Sequence, residues 1–303
     1  MVQLSFIVPN YNYAQFLEQA IDSLFCSYCD FEVLIFDDAS TDNSVAVIEK
    51  LCVKYTAIRF FSTKKNLGPA GAMNMLIPHI RGKYVAFLGS DDYMIPQAVE
   101  RVFVYLRQFP DAELYCSDDV FFTKADPSPL LQVRPLLDTP SCRFSPSQVY
   151  ILFSHTDFSI PGHTVVVRTD IFRQYAPFND NIGSICDWWI VHQIAFRYGL
   201  VYMHEQLVAQ RKHALSYGGS APITKKREMW FQLLRLLEKD EKRYRLIITS
   251  GVFRQFGLRA IYRDLIKRPR YWKYLFPMCR KILEKSLAKF VGIDREKYWL
   301  KRI

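Results

Sequence analysis

The sequence contains no long hydrophobic run. Nowhere in its 303 residues does it approach the roughly 18 uninterrupted apolar residues that a transmembrane helix needs. The apolar run near the start, in MVQLSFIVPNYN, is too short for a secretory signal, and no basic stretch precedes it. We therefore expect a protein that is made and kept in the cytosol.

The spacing of the cysteines does not form a metal site. The chain has seven cysteines, an odd number that suits the reduced thiols of the cytosol. Cys26 and Cys29 form the one C-x-x-C pair, and no second pair completes a zinc site. The chain also lacks internal repeats and low-complexity tracts. An apolar fraction of 50% with 15% aromatic residues then indicates a globular protein.

Acidic residues are scarce in one part of the chain only. Residues 225–303 contain 23 Lys and Arg against 8 Asp and Glu, a net charge of +15. Residues 1–224 contain 17 Lys and Arg against 22 Asp and Glu, a net charge of −5. This contrast divides the chain into a body, residues 1–224, and a basic, aromatic, helical C-terminal region, residues 225–303.

The first half of the body alternates strand patterns with helix patterns. Four short apolar runs read as strands, at residues 4–9, 32–38, 58–63 and 84–89, and residues with helical spacing separate them. Strands that alternate with helices of this length indicate parallel crossover units. The sequence therefore predicts an α/β fold with a mostly parallel central sheet flanked by helices.

Polar side chains follow each of these four predicted strands. The pairs are Asn10 with Tyr11, Asp37 with Asp38, Asn66 with Gly68, and Asp91 with Asp92. The carboxyl ends of parallel strands meet at one edge of a sheet, where α/β proteins bind their ligands. Adjacent aspartates after a buried strand repel each other, so we expect a positive partner beside Asp91 and Asp92.

Six motifs in this order resemble those of a known family. They read FIVPNYN, FDDASTDNS, NLGPAGAMN, FLGSDDYM, CDWW and QRKHALS, and they run from residue 4 to about residue 220. The chain resembles family 2 glycosyltransferases, whose GT-A fold is Rossmann-like. The resemblance implies an inverting, metal-dependent transfer of a sugar from a nucleoside-diphosphate sugar, a UDP-sugar above all, to a hydroxyl. The implied acceptor is a glycan or a lipid-linked saccharide, as in bacterial surface polysaccharide synthesis.

The resemblance implies a nucleotide site on the first three motifs. Pro9 and Tyr11 would line the base pocket, with Tyr11 packed on the pyrimidine ring, and Asp38 would accept a hydrogen bond from the base. Asn66 and Gly68 match the next donor motif, although Met73 stands where the family often has a basic residue. These residues would serve equally as turn and capping residues at the ends of strands.

The aspartate pair matches the metal motif of the family. Asp91 would be the direct ligand of Mg²⁺ or Mn²⁺, and Asp92 would orient ribose, sugar or metal-bound water. Gly89 stands where the family usually has its first carboxylate, which puts the ribose contact in doubt. The alternative is that residues 90–93 simply cap the helix that follows.

The last two motifs supply the implied base and the segment that closes over the donor. Asp187 would remove the proton from the acceptor hydroxyl, although it also sits where an N-cap would. Cys186 replaces the first acid of the usual pair. His213 would be a further metal ligand or a phosphate contact, and Arg211 would offset charge on the departing diphosphate.

Two segments have weaker assignments. Gly162 and His163 lie in the region that faces the acceptor in the family, but a turn before a strand explains the local sequence as well. Residues 124–148 are rich in proline and serine and read as a long connection, a mobile lid or an acceptor loop.

The basic C-terminal region has three interpretations. Its aromatic residues among lysines and arginines suit the headgroup region of an anionic membrane, and an ordinary solvated helical face is the alternative. Nothing in it resembles a nucleic-acid-binding fold, so no nucleic-acid partner is expected.

Two other functions stay open for the whole chain. A nucleotidyltransferase would also use carboxylates and Mg²⁺, but the chain has no glycine-rich, basic phosphate loop near residue 10. A non-catalytic module that binds sugar nucleotides or membranes is the other, and the changes at Gly89, Met73 and Cys186 favour it.

Overall fold

The computed structural model describes most of the body and parts of the C-terminal region. It describes residues 2–25, 29–123, 126–131, 136–213, 223–250, 252, 266–273, 276, 279–280, 283–284, 287 and 300. The cysteine pair Cys26 and Cys29 therefore lies only partly within the described residues.

The first half follows the alternation that the sequence predicts. Its elements are β1 Leu4–Asn10, α1 Ala14–Asp22, β2 Phe31–Asp37, α2 Ser44–Lys54, β3 Ile58–Ser62, α3 Gly68–Leu76, β4 Tyr84–Phe87, β5 Tyr93–Met94 and α4 Ala98–Gln108. Each of the four predicted strands appears within about two residues of its predicted bounds, because each is a short apolar run with polar residues on both sides.

The second half mixes shorter strands with helices. Its elements are β6 Leu114–Thr123, β7 Asp126–Leu131, β8 Cys142–Phe144, α5 Pro146–His155, β9 Val166–Arg168, α6 Thr169–Tyr175, α7 Cys186–Tyr198, β10 Leu200–Lys212, α8 Ile223–Lys239 and α9 Glu241–Thr249. A short 3₁₀ turn, Gly162–Thr164, precedes β9.

The strands of the described residues form one sheet in the order β3-β2-β1-β4-β9-β6-β10-β5, with β7 beside β6 and β8 beside β10. Strands β1 to β4 are parallel to one another, and β10 is parallel to β6. Strand β9 runs antiparallel between β4 and β6, so β6 points the same way as β4. The mostly parallel α/β fold predicted from the sequence is confirmed.

Alternating side chains of the sheet divide the apolar core into two layers. In β1, Phe6 and Val8 join one layer, while Ile7, between them, joins the other. Val33 and Leu34 of β2 divide in the same way. Both faces of this part of the sheet are therefore buried, which explains why its strands read as continuous apolar runs.

The prediction of one long connection over residues 124–148 is wrong for the residues that the structure describes. Strand β7 pairs with β6, and β8 pairs with β10. Helix α5 begins within the segment and is capped by Ser145, whose hydroxyl accepts from the backbone of Gln148. The proline and serine residues here mark a strand edge and a helix start rather than a single loop.

The first part of the C-terminal region packs on the body. The rings of Tyr244 in α9 and Trp189 in α7 lie 5.0 Å apart, and Leu233 and Leu237 of α8 join the core layer that contains α7. Among the described residues, no helix has both the length and the apolar character to cross a membrane. The boundary at residue 224 stays a prediction.

Candidate active site

The ends of β1 and β2 are tied together by side chains. Nδ2 of Asn10 donates to Oδ2 of Asp37 at 2.8 Å, and Oδ1 of Asp37 accepts from the backbone of Ser40 at 2.9 Å. Asp37 therefore stabilises the turn that follows β2. The result is a fixed rim, beside which Tyr11 is exposed and Asp38 is buried.

The carboxylate of Asp38 holds the start of α3. Its Oδ1 accepts from the backbone of Leu67 at 2.7 Å, and its Oδ2 accepts from that of Gly68 at 2.8 Å. Gly68 has a φ of 75°, which only glycine adopts readily, and Oδ1 of Asn66 also accepts from its N–H at 3.0 Å. Burial raises the pKa of Asp38. The structure thus brings Asp38, Asn66 and Gly68 together, as the motifs imply.

The predicted base-stacking residue is open to solvent. Tyr11 is 44% exposed directly after β1, an unusual degree of exposure for a tyrosine beside a buried strand. Pro9, the other predicted base-pocket residue, lies in β1 opposite Phe36 of β2. The roles of Pro9, Tyr11 and Asp38 toward a base stay predictions.

Residues 89–92 form a tight acidic turn after β4. The backbone N–H of Asp92 donates to the carbonyl of Gly89 at 3.0 Å. Helix α4 begins only at Ala98, and its N-cap is Gln97, without a side-chain cap. Asp91 and Asp92 therefore do not cap that helix, and the capping alternative is wrong.

Arg211 supplies positive charge beside Asp91, and His213 is the nearest side chain to its carboxylate. Nε2 of His213 lies 2.9 Å from Oδ2 of Asp91, and since a carboxylate only accepts, Nε2 carries the proton. The imidazole is held in place by two rings, with centroids 5.5 Å from Tyr13 and 5.2 Å from Phe16. The two predicted metal ligands are thus neighbours, although 122 residues separate them in the chain.

This pair would hold a divalent cation only after Nε2 of His213 has lost its proton, because its 2.9 Å contact with Asp91 is a hydrogen bond. No group of three His, Cys, Asp or Glu side chains suited to a metal occurs in the part of the chain that the structure describes. Mg²⁺ commonly takes one or two protein carboxylates and completes its shell with water and substrate phosphates.

Arg211, at the end of β10, is anchored to the acidic turn. Its backbone N–H donates to Oδ1 of Asp92 at 2.9 Å, and its Nε donates to the carbonyl of Asp91 at 2.9 Å. Its terminal nitrogen donates to Gln19 at 2.5 Å. The guanidinium therefore stabilises the conformation of the acidic turn and also places a positive charge beside it.

Two aromatic rings enclose the same guanidinium. Its central carbon lies 4.5 Å from the ring centre of Phe16 and 4.4 Å from that of Phe122. Such cation–π contacts gain strength when water is excluded. Arg211 thus joins α1, the acidic turn and β6, and a contact with a departing diphosphate stays a prediction.

Asp92 is the buried member of the aspartate pair. It is 5% exposed, and burial raises its pKa to about 7, while the nearby charge of His163 acts in the opposite direction. Its Oδ1 accepts a hydrogen bond from the backbone N–H of Arg211. In this arrangement Asp91, not Asp92, presents the carboxylate paired with His213.

The predicted base, Asp187, lies in the first turn of α7. The helix begins at Cys186, and Ile185 is its N-cap, so Asp187 is not the cap. Its Oδ1 accepts from the backbone of Trp188 at 2.7 Å. Burial raises the pKa of Asp187, and the charge of His163 partly counters this. A carboxylate with a raised pKa is better matched to proton removal near neutral pH.

Gly162 and His163 lie in the 3₁₀ turn next to Asp187, the predicted base. A Cβ at Gly162 would lie 2.7 Å from Oδ2 of Asp187, so the absent side chain makes room for that carboxylate. His163 lowers the pKa of both Asp92 and Asp187 through its charge. The 3₁₀ turn that carries both residues is fixed by Thr164, whose hydroxyl donates to the carbonyl of Ser117 at 3.0 Å.

Several residues of the site carry no sequence signal of their own. Tyr13, Phe16, Gln19 and Phe122 hold His213 and Arg211, but each reads locally as an ordinary core or surface residue. Their partners are about 90 to 200 positions away in the chain, so spacing and periodicity do not reveal them.

Comparison with known sequences identifies relatives of this chain. Residues 5–174 match the family model of glycosyl transferase family 2. The chain is 26% identical over 264 residues to an uncharacterized glycosyltransferase of Rickettsia prowazekii, a match covering 84% of this chain and 77% of the relative. It is 39% identical over 115 residues to the chondroitin synthase of Pasteurella multocida, a match covering 37% of this chain but 12% of the synthase.

Comparison with solved structures confirms the GT-A fold. The crystal structure of S. aureus TarS in complex with UDP-GlcNAc superposes with a TM-score of 0.67 at 15% identity, covering 93% of this chain and 81% of the other. A mannosyltransferase from Pyrobaculum calidifontis, in complex with GDP-Man and Mn²⁺, gives a TM-score of 0.54 at 14% identity, covering 98% and 85%.

Proposed function

This chain belongs to glycosyl transferase family 2, and we propose that it is an inverting, metal-dependent enzyme that transfers a sugar from a nucleoside-diphosphate sugar to a saccharide hydroxyl. One observation carries the proposal. Gly162 lies against the carboxylate of Asp187, and its 3₁₀ turn packs against β4 and β10, the strands that lead to the acidic turn and to Arg211, which supports one site for the turn and the proposed base. A donor held at the turn would present its anomeric carbon to an acceptor beside Asp187.

Asp187 acts as the general base. Its carboxylate takes the proton of the acceptor hydroxyl as the acceptor oxygen attacks the anomeric carbon. The bond from that carbon to the diphosphate oxygen breaks, and the nucleoside diphosphate leaves on the opposite face. One in-line displacement inverts the configuration of the anomeric carbon.

Asp91 and His213 would hold Mg²⁺ or Mn²⁺ against the diphosphate. The bound cation supplies positive charge that stabilises the leaving diphosphate. Arg211 keeps the acidic turn in position through its contacts with both aspartates. The mannosyltransferase solved with Mn²⁺ supports this part of the proposal.

The proposed donor is a UDP-sugar, and GDP- and thymidine diphosphate sugars are the alternatives. Support comes from TarS, which was solved with UDP-GlcNAc. Tyr11 offers an exposed ring for stacking on the base, and the Asp38 oxygens, although each already accepts one backbone hydrogen bond, can accept another.

The proposed acceptor is a glycan or a lipid-linked saccharide. Its support is the relationship to chondroitin synthase, a polysaccharide-forming enzyme by name, of which this chain matches a small part. The place of Gly162 against the carboxylate of Asp187 supports acceptor recognition near Gly162 and His163.

The test uses the purified chain with a panel of labelled sugar nucleotides and Mn²⁺. We expect hydrolysis or transfer from one donor, loss of the reaction with EDTA, and recovery on adding metal. Transfer to an added saccharide, with NMR of the product showing the anomeric configuration opposite to that of the donor, supports inversion. Consumption of a nucleoside triphosphate and a sugar phosphate would instead indicate a nucleotidyltransferase. Donor binding without turnover would indicate a non-catalytic module.

We also propose that the basic C-terminal region rests on an anionic membrane surface. Large apolar side chains there are exposed, including Trp272 at 55% and Phe276 at 72%. Lys267, Arg268 and Arg270 are exposed close by. Exposed aromatic and aliphatic groups among basic residues suit the headgroup boundary of anionic lipids.

Vesicle sedimentation tests this location. We expect the chain to bind vesicles of phosphatidylglycerol more strongly than vesicles of phosphatidylcholine, and salt to weaken the binding. Trp272→Ala and Phe276→Ala should reduce it, whereas Val53→Ala, which removes a side chain that is 87% exposed on α2, should not. Equal binding of all three variants would contradict the proposal.

A further inference from the structure

Gly89 lies directly beneath the two carboxylates of the acidic turn. A Cβ at this position would lie 2.8 Å from Oδ1 of Asp91 and 2.8 Å from Oδ2 of Asp92. It would also lie 3.3 Å from Cγ of Asp92. Real Cβ atoms almost never come within 3.0 Å of another heavy atom, so any side chain here requires the carboxylates to move.

Both carboxylates are held where they are by other parts of the chain. Oδ2 of Asp91 pairs with His213 at 2.9 Å, and Oδ1 of Asp92 accepts from the backbone of Arg211 at 2.9 Å. The turn itself is closed by the hydrogen bond from Asp92 to the Gly89 carbonyl. Moving Asp92 therefore disturbs its contact with Arg211 in β10, and moving Asp91 disturbs its contact with His213, the residue that follows β10.

The reason for glycine here is space rather than backbone conformation. The φ angles of Gly68, Gly183 and Gly199 are positive, but that of Gly89 is not. An alanine would fit the backbone at position 89 without strain, so its effect would come from its methyl group alone.

We propose that Gly89 is a positioning residue, whose missing side chain lets Asp91 and Asp92 fold over the backbone and so places the Asp91–His213 pair that receives the cation and diphosphate. This inference rests on the proposed function. It gives a reason for the departure from the family motif, since the space of a first acid is occupied by the next two carboxylates. Restoring that acid would weaken the site instead of improving it.

The test compares three variants of the full chain. Gly89→Ala adds one methyl, Gly89→Asp adds the family acid, and Val53→Ala, at an exposed residue of α2 outside the acidic turn, is the control. Mn²⁺ affinity is measured by electron paramagnetic resonance of the free ion in the presence of UDP, UDP affinity by calorimetry, and folding by thermal unfolding without metal.

We expect Gly89→Ala to weaken Mn²⁺ binding by about tenfold or more, and Gly89→Asp to weaken it further, since displaced ligands cost at least the overpacking energy of a methyl. Val53→Ala should bind as the parent does. If Gly89→Asp does not fold, Gly89→Ala decides the question. A crystal structure of Gly89→Ala should show displaced carboxylates.

The inference is overturned if Gly89→Ala or Gly89→Asp folds and binds Mn²⁺ and UDP as tightly as the parent. That result would leave the proposed function standing, because the parent would still bind and turn over its donor. A parent chain that binds neither Mn²⁺ nor any nucleotide of the panel would overturn both.

Discussion

The carboxylate of Asp187 occupies the space that a side chain on Gly162 would need. The separation of 2.7 Å between a Cβ at position 162 and Oδ2 of Asp187 is too short for a carbon and an oxygen that are not bonded. These residues are 25 positions apart in the chain. The glycine therefore helps to set the position of the proposed base.

Gly162→Ala should lower kcat by about 10- to 100-fold, since small displacements of a reacting group have effects of this size. KM for the donor should change little, because the methyl points at the base and not at the acidic turn. Steady-state kinetics check this. Pro161→Ala changes the same loop without adding an atom and serves as the control. An unchanged kcat for Gly162→Ala would mean that Asp187 is not the base or is free to move.

Asp187→Asn should lower the rate of transfer by about 10²- to 10⁴-fold, because the amide cannot take up a proton. Binding of UDP and Mn²⁺, measured by calorimetry, should match that of the parent. Asp170→Asn, at an exposed aspartate paired with Arg168, should transfer at the parent rate. Normal transfer by Asp187→Asn would refute the mechanism.

The pH dependence of the parent should report the raised pKa of Asp187. The base must be ionised to work, and burial raises its pKa, so kcat/KM should fall as the pH drops through a value above the ordinary aspartate pKa of about 3.9. A profile that stays flat down to that ordinary value would show that the pKa of the base is not raised, contrary to the burial of Asp187.

The same pKa shift predicts that the base destabilises the fold at neutral pH. A carboxyl whose pKa is higher in the folded than in the unfolded state binds more protons when folded, so stability falls as the pH rises between the two values. Asp187→Asn removes this effect, and its Tm relative to the parent should be higher at pH 8 than at pH 4. Thermal unfolding at both pH values checks it, and an equal difference at both would contradict the shift.

Arg211→Lys should weaken the acidic turn rather than donor contacts alone. Lysine keeps the charge but lacks the Nε hydrogen bond to Asp91 and the planar group between Phe16 and Phe122. Loss of these contacts should cost about 1–3 kcal/mol of stability and lower Mn²⁺ affinity. Arg243→Lys, at an exposed arginine over Tyr244, is the control. A variant with parent stability but a raised donor KM would indicate direct binding of the diphosphate instead.

The sequence predicts the parts of this fold that depend on local pattern. Strands β1 to β4 are short apolar runs between turn residues, and their parallel direction follows from the helices that connect them. Strands β7 and β8 were missed because proline and serine at the edge of a sheet resemble those of a loop. Pairing along an edge is decided by the neighbouring strand, β6 or β10, and not by the segment itself.

The residues of the site also fall into those that a sequence motif reveals and those that only the folded structure reveals. Asp91, Asp92, Asp187 and His213 stand in motifs, so the resemblance identifies them. The partners of Arg211 do not, since Phe16 and Phe122 are aromatic residues of a kind that fills any core. Gly89 was recognised as a departure from the motif, but its contact with two carboxylates exists only once the turn has closed. Long-range packing of this kind leaves no periodic signal.

The enclosure of Arg211 has a consequence for how the molecule is made. During synthesis, α1 and the acidic turn emerge from the ribosome long before residue 211 does. Domains fold progressively as the chain is made. Phe16 and the backbone carbonyl of Asp91 therefore lack their contacts with Arg211 until β10 has been synthesised. A nascent chain with only its first four strands would lack the second member of the proposed cation pair. The site would therefore form late in translation.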